Sequence, residues 1–350
     1  MLVGWTRSVD IYQISNFGIA SGGGLRRFEM DLKQLQYFLC VVDQGSFTKA
    51  ARMLDVAQPA LSRQVRLLEV ELRQNLLTRT GRGVVATEAG KLLAQHGHLI
   101  MHQVDIAHEE LDKLRGNTGG HVTVGLPTGL SKLLAVKLIS EVRTRLPNAQ
   151  LSVSDGLSVS MQESILNGRL DMALLYRPQP SPDIDTTPIM KEELYLVYGS
   201  CNAGKNSPIT LRDVSKLPLI IPQRPHEIRN VVETKMTEVG CKPNIMLEVD
   251  GVSAILDVLA TGPGYAILPL YAVAIYSKLS RYHFQPIISP ALESTLSLAT
   301  SSKRQLTSTQ KAVEEIVLEI CHDTLVPAIE REMKDLTTEL RTITNSTANA

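Results

Sequence analysis

The chain has 350 residues, 43% of them hydrophobic, with 36 basic and 36 acidic side chains. That length suits two or three domains rather than one small one. No apolar run reaches the ~18 residues of a membrane span. The N-terminus also lacks the basic patch and clean apolar core of a signal peptide, so a cytoplasmic location is expected. Neutrality argues against a nucleic-acid partner until the distribution is read. Between Lys49 and Lys91, eight basic residues (Lys49, Arg52, Arg63, Arg66, Arg73, Arg79, Arg82, Lys91) meet only Asp55, Glu69, Glu71 and Glu88. This local excess supplies phosphate contacts, and a dimer doubles it.

Residues 1–29 read as an appendage expected to be disordered. They carry Ser21-Gly22-Gly23-Gly24 and the single tryptophan, Trp5, and Met30 is the expected natural start. Leu32, Leu35, Leu39 and Val42, with Phe38 beside them, give a first amphipathic helix. Phe47, Ala50, Ala51 and Leu54 repeat the pattern. So do Leu61, Val65, Leu68 and Leu72, whose helix shows Ser62, Arg63 and Arg66 on its other face. Pro59 suits the first helical turn, where a missing N–H costs nothing. Two short helices joined by a tight turn, packed inside and donor-rich outside, define a helix-turn-helix. Arg79-Thr80-Gly81-Arg82-Gly83, flanked by strand formers, reads as a hairpin wing with Arg82 at its tip.

Thr87 can cap a helix running to about Arg115. Its stripe (Leu93, Ile100, Ala107 and Leu114, widened by Leu92, Leu99, Val104, Ile106 and Leu111) is best buried against a second copy. Packing into the adjacent domain is the alternative. Gly116-Asn117-Thr118-Gly119-Gly120 reads as a hinge. Beyond it short apolar strands alternate with helices. Strands are expected at 122–126, 151–154, 172–176, 194–198, 219–221, 246–249, 265–268 and 296–300. Helices are expected at 130–145, 161–166, 227–239, 252–259 and 309–320. That alternation predicts parallel sheets with helices on both faces. The tail after about Thr337 is polar and is expected to fray.

The run from Gly45 to Glu69 resembles the winged helix-turn-helix of LysR-type transcriptional regulators, with Val65 in place of the usual isoleucine. Leu77-Thr78-Arg79-Thr80 and Val84 to Gly90 look like that family's wing and linker helix. Gly168 to Leu174 and Gly262 to Pro269 look like its effector domain. Val124 to Pro127, Asp155 to Ser158 and Gly168 to Tyr176 look most like the branch of nitrogen-assimilation control proteins. The resemblance spans about Met30 to Thr324. It implies an N-terminal all-α winged helix-turn-helix (30–87), a long dimerisation linker helix (88–117), and a C-terminal α/β effector domain (118–325). That effector domain has two Rossmann-like subdomains, as in periplasmic binding proteins. Subdomain I takes 120–188 and 285–325, and subdomain II takes 189–284. The crossings are placed near 187–191 and 270–284, with a tail over 326–350. The implied protein is a regulator bound to double-stranded DNA as a homodimer or homotetramer, with RNA polymerase as a further partner.

On the recognition helix, Gln58, Ser62 and Arg63 are the candidates for base edges, Gln for adenine and Arg for guanine, with Pro59 at a thymine methyl. Ser46, Thr48, Lys49, Arg66 and Arg82 are candidates for the remaining DNA contacts. A small-molecule effector is expected beyond the carboxyl ends of the strands. Its candidate contacts are Thr128, Gly129, Ser158, Arg177, Arg224, His226 and Ser253. Helix N-termini and arginines there suggest an organic anion.

Other chemistries have weaker support. His98 and His102 have metal-ligand spacing, but solvated or interhelical positions explain them, and no metal is expected. The four scattered cysteines (Cys40, Cys201, Cys241, Cys321) fit a reducing cytosol, with a Cys201–Cys241 redox switch as an alternative. A solute-binding protein is a further alternative, opposed by the helix-turn-helix. Gly262-Pro263-Gly264 lacks the N–H groups of a phosphate loop. No nucleophile elbow or His-Glu-x-x-His run is present, so neither an enzyme nor a cofactor is expected.

Overall fold

The computed structural model describes residues 30–81, 83–114, 119–199, 207–276, 278, 281–325 and 327. The appendage over 1–29, the wing-tip Arg82, most of the hinge, Cys201 and the tail beyond 327 lie outside the described residues.

Helix α1 (Leu32–Gln44) starts where the Asp31 carboxylate accepts from the Lys33 N–H, and it ends at Gly45, whose φ of 58° suits a glycine. Helix α2 (Phe47–Met53) is capped by Ser46, whose Oγ accepts from the Lys49 N–H. Helix α3 (Gln58–Leu72) has no side-chain cap and carries Pro59 in its first turn. Leu35, Phe38, Val41, Ala50, Leu61, Val65 and Leu68 close a core that excludes water almost completely. Leu72, expected in that stripe, is exposed because α3 ends there. Strands β1 (Leu77–Thr80) and β2 (Gly83–Ala86) form the antiparallel wing. The wing seats on the α1–α2 turn through Val84 N–H donating to Gly45 O at 2.9 Å, and a Cβ on Gly83 would lie 2.5 Å from that oxygen.

Thr87 caps α4 (Glu88–Leu114) by accepting from the Gly90 N–H at 3.0 Å. Its 27 residues span about 40 Å. One face packs on α1 through Ala94 and Gly97, where a Cβ would come within 2.9 Å of Leu35. A second, polar face meets the C-terminal half. His102 Nε2 bonds Gln305 O at 3.2 Å, and Glu109 accepts from the N–H and Oγ1 of Thr309 at 2.8 and 2.7 Å. His98 approaches Asp43 at 3.6 Å. The two histidines therefore make contacts within the chain, and no cluster of metal-binding side chains occurs among the described residues. Leu92, Leu111 and Leu114 of the expected stripe remain exposed.

The C-terminal half runs β3 (His121–Pro127), α5 (Thr128–Arg145), β4 (Gln150–Gly156), α6 (Ser158–Leu166), β5 (Met172–Tyr176) and β6 (Ile184–Gly199). It continues with β7 (Ile209–Thr210), α7 (Leu211–Val214), β8 (Leu219–Ile221), α8 (Glu227–Glu238), β9 (Ile245–Glu248), α9 (Val252–Thr261), β10 (Ala266–Pro269) and α10 (Leu270–Tyr276). It closes with β11 (Tyr282–Ile288), β12 (Glu293–Ser301), α11 (Ser308–Ile320) and a π-helical turn over Cys321–Leu325. The sheet order is β4-β3-β5-β12-β6-β11-β7, with β10 also on β6 and β8-β9 apart.

Two expectations need correction. The sheets are mixed: β3 is parallel to β4 and β5, but β12 runs antiparallel to β5 and β6, as do β10 and β11 to β6. The second crossing comes later than 270–284, because β11 still pairs with the far half of β6 and with β7. The return to the first subdomain follows Ile288. The first crossing is β6 itself, whose 16 residues pair with β12 at one end and with β10 and β11 at the other. Three apolar clusters result, one around β3, α5 and α11, one around β6, α8 and β10, and a smaller one between α6 and β5.

Candidate functional site

The described candidates for DNA contact lie on α2, on α3 and at the residue before α2. Leu61, Val65 and Leu68 turn inward, so helical spacing turns Gln58, Pro59, Arg63 and Arg66 to solvent, where all four are exposed. Ser62 is half-buried beside them, and Thr48 and Lys49 are exposed on α2. Lys49, Arg63 and Arg66 make no ion pair with any described residue, so their charges remain available. Ser46 is partly committed to its cap. Two features not assigned from sequence hold this surface. Glu69 Oε1 accepts from the Leu76 and Leu77 N–H groups at 2.9 and 3.1 Å, tying α3 to the wing. The Arg79 guanidinium lies 5.8 Å from the centre of the Phe47 ring.

The second site is a cleft between the subdomains. Its inner chamber, about 70 Å³, is lined by Thr128, Gly129, Ser158 and His226, and four helices (α5, α6, α8 and α9) begin at its wall. An outer vestibule of about 490 Å³ shares Ser158, Tyr176 and Glu227 with it and adds Arg177, whose φ is 44°. Five of the seven predicted effector residues thus line the cleft. Arg224 does not. It lies on the outside of α8, exposed, paired with Glu233 at 2.8 Å. Ser253 is exposed and off the cleft wall. His226 lines the chamber, but its Nδ1 accepts from the Ile228 N–H, and burial holds its pKa below the ordinary histidine value of 6.5. Its ring therefore serves as the cap of α8.

The cleft also contains what the sequence reading missed, two carboxylates and two phenols. Glu192 is 7% exposed, and burial, then the nearby Glu227, raises its pKa well above the usual carboxylate range. The Tyr176 hydroxyl lies near Glu192 and meets the Tyr271 hydroxyl. Glu192 Oε2 has no donor among the described residues. Glu227 accepts from Ser294 Oγ at 2.6 Å, and burial raises its pKa too. Burial keeps both phenols neutral. An anion in this chamber would meet two carboxyl groups whose charged forms burial already disfavours. The available signal was alternation. Along β6 Glu192 occupies an inward position between exposed Lys191 and Glu193 and ahead of buried Leu194.

Among the thiols, burial raises Cys40 and pushes Cys321 up to about 12, so neither is a thiolate at neutral pH. Cys241 is half-buried and forms no disulfide with a described residue. No helix among the described residues is long and apolar enough to cross a membrane.

A helix-turn-helix with a wing, a long connecting helix and a two-lobed cleft define a DNA-binding regulator that carries its own sensory domain. The family models agree. Residues 32–91 match the bacterial regulatory helix-turn-helix protein, lysR family, and residues 115–321 match the LysR substrate binding domain. The chain belongs to the LysR family of transcriptional regulators. It is 33% identical over 292 residues to the nitrogen assimilation regulatory protein nac of Klebsiella aerogenes, covering 83% of this chain and 95% of that protein. The Escherichia coli (strain K12) protein of the same name is 29% identical over 292 residues, with the same coverage of both. Among solved structures, a full-length OxyR variant from Pseudomonas aeruginosa superposes with a TM-score of 0.66 at 20% identity, covering 84% of this chain and 95% of that one. Full-length CbnR complexed with its target DNA gives a TM-score of 0.54 at 22% identity, covering 87% and 100%. These relatives are regulators rather than enzymes.

Proposed function

We propose that α3 enters the major groove of an operator with dyad symmetry. Gln58, Ser62 and Arg63 read base edges and Pro59 touches a thymine methyl, while Thr48, Lys49, Arg66 and the α2 N-terminus at Ser46 hold phosphates. A second copy covers the exposed Leu92, Leu111 and Leu114 of α4, and pairs of dimers form the homotetramer. The protein acts in the cytoplasm and contacts RNA polymerase from the operator. A small effector binds the cleft lined by Thr128, Gly129, Ser158 and Arg177, and it shifts the arrangement of the DNA-binding pairs by its differential affinity for the two states. The nitrogen-assimilation regulators are the branch whose targets are tried first.

The observation that carries the DNA reading is the α3 face, where two exposed arginines without ion-pair partners among the described residues stand over a buried apolar stripe. The test is footprinting of the full-length protein on DNA upstream of its own and neighbouring genes. Protection of a symmetric site, lost in Arg63→Ala, is the expected result. A protein that stays monomeric and prefers no promoter fragment over bulk competitor overturns the reading.

A further inference from the structure

The cleft reading above names a site, and this inference, which rests on that reading, names its ligand chemistry. Glu192 is the anomaly of the cleft wall. A carboxylate can accept about four hydrogen bonds. Buried between a sheet and four helix ends, this one has an Oε2 with no donor among the described residues, with the Tyr176 hydroxyl nearby. A native structure rarely leaves such an atom unpaired without a use for it. Ser294, its cross-strand partner on β12, gives its hydroxyl to Glu227 instead. The protein therefore does not satisfy Glu192 from within, although a suitable donor stands directly opposite.

We propose that the effector carries a protonated amine, which seats in the inner chamber between Glu192 and Glu227 and donates to the free Oε2 of Glu192. Three features fit that head group. An ammonium brings three donors and a positive charge to two acceptors that repel each other. The chamber, near 70 Å³, has room for about two water-sized groups, which admits an aminomethyl head but not a ring. The wider vestibule opens from it past Tyr176 and takes the rest of the molecule beside Arg177 and Gln179. The helix N-termini around the chamber share it with two carboxyl groups, Glu192 and Glu227.

The test uses the full-length protein, with binding followed by calorimetry and thermal unfolding. The probes are methylammonium and three four-carbon compounds of matched length: 1,4-diaminobutane, 4-aminobutanoate and butane-1,4-dioate. The expected result is saturable stabilisation by the amines and none by the dicarboxylate. Glu192→Gln is expected to weaken the amines by about tenfold or more, without making the ligand-free protein less stable. A second variant separates the two readings. A Cβ on Gly129 meets only Tyr271 Oη, at 3.9 Å, so Gly129→Leu grows into the chamber and blocks it. Amine binding that Glu192→Gln leaves unchanged but Gly129→Leu abolishes overturns the amine contact and keeps the cleft. Binding of the dicarboxylate alone, lost in Gly129→Leu, does the same. Amine binding indifferent to both variants overturns the cleft reading as well. Failure of every amine at millimolar concentration overturns the amine proposal, and the cleft is then judged by whether Gly129→Leu changes the footprint.

Discussion

Replacing Glu69 tests how the DNA-reading surface is held together. Its Oε1 accepts from two successive backbone N–H groups, Leu76 at 2.9 Å and Leu77 at 3.1 Å, where the chain leaves α3 for the wing. Leu76 is 1% exposed, so the first of those donors cannot turn to water without moving the backbone. A hydrogen bond to a charged group contributes about 1.5–3 kcal/mol. Glu69 is half-buried, which puts each bond at the lower end, and Glu69→Ala should cost about 3 kcal/mol in all. Glu69→Gln keeps a carbonyl in the same place and loses only the charge, for about 1 kcal/mol. Hydrogen exchange at the Leu76 and Leu77 amides follows the local effect, and urea unfolding of the N-terminal unit follows the stability. Operator affinity should fall in the alanine variant as the wing loses its seat, and should hold or rise in the glutamine variant, which sheds a negative charge near phosphate. Equal costs for the two variants, or an alanine cost below about 0.5 kcal/mol, the level of an ordinary surface change, would refute the argument.

Arg63→Ala should weaken operator binding by about 1–3 kcal/mol while sparing random DNA, whereas Arg66→Ala should weaken both and lower the salt slope by about 1, as titrations at several ionic strengths would report. Asp171→Ala should destabilise the effector domain by about 3–5 kcal/mol. This carboxylate accepts from the Thr123 N–H and Oγ1, both at 2.8 Å, and its loss removes the countercharge 3.8 Å from the buried Arg304, which keeps its bonds to the Ile165 and Leu170 carbonyls. A calorimetric scan showing a smaller loss would place the stability elsewhere. The His226 pKa is depressed by burial, so the unfolded chain takes up the proton first. Its stabilising contribution is complete above pH 6.5 and declines as pH falls from there toward the lower folded value. His226→Asn, which can still cap α8, should flatten that part of the stability-pH curve. Gly90→Ala would bring a Cβ to 2.0 Å from the backbone oxygen of Leu76. It should cost at least the 1–3 kcal/mol typical of overpacking, read as a lower unfolding temperature and lost DNA binding.

The helix-turn-helix was legible in the sequence because its chemistry is local. One stripe of leucines faces in, and the residues between them must face out. The strand 172–176 and the strand 219–221 were legible for a related reason, each being a short apolar run closed by a turn. The sheet's mixed direction was not legible. Alternation of strand and helix reports that strands are covered, and says nothing about which way a strand enters after a crossing. β11 was hidden because Tyr282–Ile288 mixes aromatic, polar and proline residues, and its partner lies more than 80 positions earlier in β6. In the cleft, Thr128, Gly129 and Ser158 were found because strand ends place them there. Arg224 was misplaced because a residue before a helix can point either way, and the Glu233 carboxylate on the outer surface decides for it. Glu192 was overlooked since a strand glutamate beside another charged residue reads as a solvated edge.

Glu192 also stands where the two subdomains join. β6 pairs with β12 up to Glu193 and with β10 from Leu194 onward, so the strand changes partners one residue after Glu192. A ligand held there bears on both subdomains at their shared strand. Subdomain I is in turn fastened to the N-terminal half by contacts at four places among the described residues. Glu109 on α4 holds the first turn of α11, and His102 holds Gln305 just before it. Gly168, at φ 73°, lies so close to α4 that a Cβ would come 2.8 Å from His98, while Arg169 reaches Asp43 of α1 at 3.5 Å. These contacts fix subdomain I on the linker helix and leave subdomain II as the part whose angle a ligand can set. A ligand that gripped only one lobe would bind without consequence, because equal affinity for both arrangements shifts neither. A head group shared between Glu192 on the common strand and Glu227 on α8 of subdomain II draws on both lobes at once, and its preference for the arrangement that brings them together is the free energy available to move the DNA-binding pairs.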